Sequence, residues 1–216
     1  MPGLLWHAER DAMTNHLEAT GGAENRNRAE PHLTAMHRTA EQLEAGIEAI
    51  RASPREEGTV DWIACRPAAG ERIVLEIATL DVASGLVGDN WATRPTKLPN
   101  QKPHPDAQVT LMNARSVDLV AGVRDRWALA GDQLYVDFDL SLENLPAGTR
   151  LQVGGAVLEV TALPHTGCAK FTERFGSAAA RWVNTPTGRA LNLRGINVRV
   201  VTSGQVRRGD AIRKLA

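Results

Sequence analysis

The chain has 216 residues and 43% hydrophobic content, enough to bury a core without disulfides or a structural metal. Its 25 lysines and arginines balance 25 aspartates and glutamates, so no global field recruits nucleic acid or anionic lipid, and any basic site is local. The two cysteines, Cys65 and Cys168, show no Cys-x-x-Cys or Cys/His ligand spacing, which excludes a zinc-finger or disulfide framework, and no apolar run reaches the ~18 residues of a membrane span.

Residues 1 to about 30 read as a polar leader, with Thr20-Gly21-Gly22 ahead of Glu24-Asn25-Arg26-Asn27-Arg28. From Pro31 the apolar residues Leu33, Met36, Ala40, Leu43, Ile47 and Ile50 recur at steps of three and four, which predicts an amphipathic helix closed by Ser53-Pro54. That helix packs either on the rest of the chain or on a dimer partner. Residues 1–57 are therefore expected to be leader and helix, and 58–216 one β-rich domain.

Strands are predicted at Val60–Ala64, Arg72–Ala78, Gln108–Met112, Gln133–Phe138, Arg150–Val153, Ala156–Val160 and Ile196–Val201, with Gly154-Gly155 as a hairpin turn. Ser116 is read as the cap of a short helix through Ala121. Thr172–Val183 is read as helical, with Phe171, Phe175, Ala178, Ala179 and Trp182 on one face. The prolines between Arg94 and Asp106 exclude a central strand or helix interior there and predict a long ordered loop. Many short strands with few helices point to a mixed α/β, β-rich fold: a β-barrel with peripheral helices, preceded by the N-terminal amphipathic helix.

The chemistry converges on Pro164-His165-Thr166-Gly167-Cys168-Ala169-Lys170-Phe171, where a thiol stands between a β-like stretch and a helix start. Helix N-termini and nearby cations, here His165, Lys170 and Arg174, favour thiolate over thiol. The alternative is a buried, inert cysteine. Cys65, in the strand Trp62-Ile63-Ala64-Cys65 without nearby cations, is read as structural.

Four segments stand together in order: Gly85-Leu86-Val87-Gly88-Asp89-Asn90-Trp91, Gln108–Asn113, Leu163–Phe171, and Leu193-Arg194-Gly195-Ile196-Asn197-Val198-Arg199-Val200 with a later Gly209-Asp210. In this order and spacing they resemble the MOSC domain family, named for the C-terminal domain of molybdenum cofactor sulfurases, over roughly residues 58–212. The resemblance implies a MOSC-like β-barrel with one reactive cysteine, matched here by Cys168. In some members that cysteine coordinates the molybdenum of a pterin cofactor. Others carry or transfer sulfur as a persulfide, and related proteins reduce N-hydroxylated substrates such as amidoximes and hydroxylaminopurines. An association with pyridoxal phosphate exists at family level only. This chain lacks the aminotransferase-like desulfurase domain and the Cys-rich iron–sulfur segment of larger members, so electrons or sulfur come from a separate donor protein or small thiols.

On this reading Cys168 is the molybdenum ligand or sulfur acceptor, and His165, with an unperturbed pKa of about 6.5, moves a proton or else bonds to backbone as a loop imidazole. Lys170, Arg174 and Arg194 bind a cofactor phosphate or anionic substrate, or are solvated surface cations. Asp89, Asn113 and Asn144 stand either at the barrel mouth facing a ligand or in turns bonding to backbone. Trp91 and Arg94 are placed to roof the pocket. The expected partners are a small-molecule substrate and a donor protein, with no nucleic acid and no membrane, in the cytoplasm. Two other readings use the same barrel. One is a non-catalytic small-ligand or partner-binding module without cofactor, and the other is a metal-free thiol-dependent lyase or transferase. The absence of Gly-x-Gly-x-x-Gly, Walker and His-Glu-x-x-His patterns argues against nucleotide hydride transfer, phosphoryl transfer and zinc proteolysis.

Overall fold

Residues 150–160 show how this sequence makes sheet. Leu151, Val153, Ala156, Leu158 and Val160 are buried, and the residues between them turn toward solvent. The reversal falls on Gly154-Gly155, where Gly154 has φ 52 and a Cβ would strike the Asp210 carboxylate. The resulting hairpin pairs β7 (Arg150–Val153) with β8 (Ala156–Val160), as the sequence predicts.

The computed structural model describes residues 37–94 and 102–215. Around the hairpin stand β1 (Glu57–Cys65), β2 (Ile73–Leu75), β3 (Ile77–Asp81), β4 (Gly85–Leu86), β5 (Val109–Asn113), β6 (Leu134–Asp137), β9 (Ile196–Thr202), β10 (Gly204–Arg207) and β11 (Ala211–Lys214). The helices are α1 (Ala40–Ala45), α2 (Ile47–Arg51), α3 (Ala114–Ala121), α4 (Ala169–Asn184) and α5 (Pro186–Ala190). Seven strands run β11-β7-β8-β9-β5-β6-β1, and β1 pairs back onto β11 through Glu57↔Arg213, Gly58↔Ile212 and Thr59↔Ala211, closing a barrel. β2 extends the sheet beyond β1, and β10-β3-β4 form a second small sheet. Of the ring pairings only β5–β6 is parallel, and the crossover it needs is α3 with the 3₁₀ segment Arg124–Ala130.

The pleat divides the apolar residues between two cores. Val60, Ile63, Leu111, Leu134, Val136, Leu151 and Val198 fill the barrel. Ala64, Met112 and Tyr135 point outward, where Leu43, Ile47 and Ile50 of the N-terminal helices and Phe171, Phe175 and Trp182 of α4 cover them. β5 is buried on both faces along its whole length, including its polar residues Thr110 and Asn113. Among the described residues, no helix is long and apolar enough to cross a membrane.

Several expectations need correction. The segment predicted as one strand at Arg72–Ala78 divides at Glu76 into β2 and β3, which join different sheets. The helix after β5 is capped by Asn113, whose Oδ1 accepts from Ser116 N at 3.0 Å, so Ser116 lies inside the first turn. α4 begins at Ala169, with Cys168 as its N-cap, and Gly176 (φ 87, ψ 164) breaks it into two limbs. Gly46 separates α1 from α2, and Leu33, Met36 and the leader lie outside the described residues. Of the proline-rich loop, its two described ends are tied where Trp91 Nε1 donates to the His104 carbonyl at 3.3 Å.

Candidate functional site

The irregular strap 161–168 carries the chain from β8 to α4 and sets His165 over a buried polar pair. Asp132, just before β6, is wholly buried, and its Oδ2 accepts from Arg194 Nη1 at 2.6 Å. Arg194 Nη2 donates to the Ala130 carbonyl at 2.8 Å, and its guanidinium lies 5.0 Å from the Phe171 ring centre. His165 Nδ1 stands 3.5 Å from Asp132 Oδ1, too long for a well-formed hydrogen bond, so both atoms are buried without a partner. Burial, and next the charge of Arg194, push the His165 imidazole down to about 4 against the opposing pull of Asp132, so it is neutral near pH 7.

A second buried pair stands alongside. Asp89 accepts from Arg66 Nε and Nη2, both at 2.9 Å, in a bidentate fork, and also from the Arg66 and Trp91 backbone N–H groups. Arg66 Nη1 reaches the Gly131 carbonyl at 2.9 Å. Gly131 has φ 90, a conformation that favours glycine, and the Arg72 and Arg174 guanidiniums both lie beside it, 3.9 and 4.0 Å from where a Cβ would stand. Arg174 is held by the Leu129 carbonyl at 2.7 Å. Burial and the charges of Arg174 and Arg66 lower the Arg72 guanidinium, and Arg94 at the rim is near enough for its charge to act on His165.

Five guanidiniums, from Arg66, Arg72, Arg94, Arg174 and Arg194, thus face two carboxylates, Asp89 and Asp132. Arg72 Nε and Arg194 Nε are buried donors without partners. A surplus of positive charge with orphaned N–H donors suits a phosphate or another polyanionic group, which is how these residues fit the phosphate-bearing pterin of a molybdenum cofactor.

The sequence candidates separate here. His165, Arg174, Arg194 and, through Arg66, Asp89 come together. Cys168 is exposed and makes no side-chain capping bond; it lies in a shallow depression with Thr172, Ser177, Arg181 and Asn184, where the second limb of α4 returns toward the strap. Lys170 is exposed. Asn113 spends its Nδ2 on Ser53 Oγ and the Phe138 carbonyl, both at 2.8 Å, beyond the C-terminal ends of β5 and β6, whereas Asp132 precedes β6. Asn144 bonds to the Arg55 and Asp139 carbonyls and accepts from Lys214 Nζ, holding a turn. Cys65 is buried, and burial followed by the Asp89 charge pushes its thiol up. Sequence reasoning missed Arg66, Arg72, Gly131 and Asp132. The signal for Asp132 was its Gly-Asp step directly ahead of a strand. Among the described residues, no group of three or more His, Cys, Asp or Glu side chains is placed to hold a metal ion.

The MOSC domain family model matches residues 99–213. A search of curated proteins finds no match. Among solved structures, the YuaD protein from Bacillus subtilis superposes with a TM-score of 0.52 at 17% identity, over 72% of this chain and 94% of that one. YiiM from Geobacillus stearothermophilus superposes at 0.51 and 11% identity, over 74% of this chain and 75% of that one. A hypothetical protein matches at 0.51 and 19% identity, over 78% and 71%. These likenesses concern the fold.

Proposed function

Because this chain belongs to the MOSC domain family, we propose that its arginine bowl holds the anionic end of a molybdenum–pterin cofactor and that Cys168 supplies the thiolate ligand in a reductase of N-hydroxylated substrates. The observation that carries this reading is the charge surplus at Gly131: five guanidiniums against two carboxylates, with buried N–H donors left over. When bound, the cofactor supplies two-electron chemistry at a thiophilic metal. The chain's own residues do the rest. Arg72 and Arg174 at Gly131 bind the phosphate, and Arg66 and Arg194 are fixed in place by their pairing with Asp89 and Asp132. His165, neutral and 3.5 Å from Asp132, relays protons through its imidazole to the oxygen that leaves the substrate as water, the two electrons coming from the separate donor.

The exposure of Cys168 on an open depression supports a second reading, a sulfur carrier that takes a persulfide from a donor protein. One experiment separates them. The full chain is purified from a host that makes the cofactor, molybdenum is measured by elemental analysis, and Cys168 is weighed by mass spectrometry. Stoichiometric metal that is lost in Cys168→Ala and in Arg72→Ala/Arg174→Ala supports the reductase. Metal-free protein gaining one sulfur atom on Cys168 supports the carrier. Neither metal nor added sulfur overturns both.

A further inference from the structure

Behind the strap lies a cavity that the arginine bowl does not use. It has a volume of about 410 Å³, within the range of small-molecule sites, and is bounded by Leu142, Val160, Leu163, Ile196, His165 and Arg194. Leu142 is 56% exposed and Leu163 sits half-buried on the strap, yet neither belongs to either hydrophobic core. Both therefore offer apolar surface to this space without holding the fold together. The lining is mostly apolar, with Arg194 already paired to Asp132 and Arg189 at the solvent edge, whereas the bowl beside it gathers five guanidiniums. His165 belongs to both places, since it lines the cavity and feels the charges of Arg66, Arg94 and Arg194. His165, Arg194 and Asn197 are polar residues of the lining and give the cavity a polar end.

We propose that this cavity binds a neutral, largely apolar small molecule whose one hydrogen-bonding end reaches His165. The two compartments divide the labour by charge: anion in the bowl, uncharged body in the cavity, with the imidazole between them. The inference rests on the proposed reductase only in making the bound molecule its substrate; the binding itself needs neither metal nor thiol.

The test titrates the full chain with N-phenyl-1-naphthylamine, a neutral apolar fluorophore, and with its sulfonated analogue 1-anilinonaphthalene-8-sulfonate. Saturable binding of the neutral dye is expected, weakened about tenfold or more by Leu163→Trp and by Leu142→Trp, which fill the space, and retained in Cys168→Ala. Thermal unfolding of both Trp variants is expected to match the parent, because neither leucine is in a core. Absence of neutral-dye binding, or binding unchanged in both folded Trp variants, overturns the proposal. So does stronger binding of the sulfonate in a manner that Leu163→Trp abolishes, since the cavity would then select anions. Dye binding in protein that proves free of molybdenum and persulfide supports the cavity while removing the reductase reading.

Discussion

His165 couples this site to the stability of the whole fold, and the coupling has a definite sign. Its pKa is pushed from 6.5 to about 4 by burial and then by the Arg194 charge, and its side chain is 18% exposed. That displacement corresponds to about 3 kcal/mol. The unfolded chain binds a proton at this imidazole in the window between the two values and the folded chain does not, so stability is full above about pH 6.5 and falls as pH drops toward 4. His165→Gln removes the titrating group and leaves a neutral side chain. Urea denaturation of parent and variant, compared between about pH 7 and pH 4, isolates it, because most other carboxylates and histidines cancel in the subtraction. The parent is expected to lose about 3 kcal/mol more than the variant across that interval. Two profiles that stay parallel would refute the reasoning and mean that the imidazole is solvated enough to charge freely.

Three other outcomes follow from the geometry. Asp132→Asn leaves the Arg194 guanidinium buried without its counter-charge, a loss of about 3–5 kcal/mol, read as a fall in melting temperature of roughly 10 °C. Asn113→Ala removes the cap of α3 together with two buried hydrogen bonds and is expected to cost about 2–4 kcal/mol by urea denaturation, with metal or sulfur content per folded molecule unchanged. Cys168→Ala, at an exposed N-cap without a side-chain bond, changes stability by less than about 0.5 kcal/mol, and in the parent iodoacetamide followed by peptide mass mapping labels Cys168 well ahead of Cys65.

The hairpin β7–β8 was legible because its signal is local: alternating side chains and a glycine pair that alone suits the turn. β11 was not, since in Ala211–Lys214 only Ile212 is buried and four residues carry too little pattern to separate strand from tail. Asn113 and Asn144 show the ambiguity of polar residues at strand ends, because the amide that would meet a ligand is also the amide that caps a helix or ties a turn. The arginine bowl was half visible. Arg174 lies six residues past the cysteine and Arg194 stands in an Arg-Gly step of the family pattern, but Arg66 and Arg72 follow and precede strands far away in sequence, and only the pairing of β1 with β6 brings them to Gly131. The cysteine's surroundings were misplaced for a local reason: Gly176 folds α4 back, so Arg181 rather than Arg174 shares its depression.

The pairing of β1 with β11 joins Glu57 to Arg213 and Gly58 to Ile212. A ring closed between partners so distant in sequence forfeits much chain entropy before its last ladder forms, which predicts slow folding on the scale of β-barrels. During synthesis β1 emerges early and waits with one edge bare until Ala211–Lys214 is available, a period in which intermolecular strand pairing competes with closure. Truncation before Ala211 would make that exposure permanent, turning a closed barrel into an open sheet with two sticky edges.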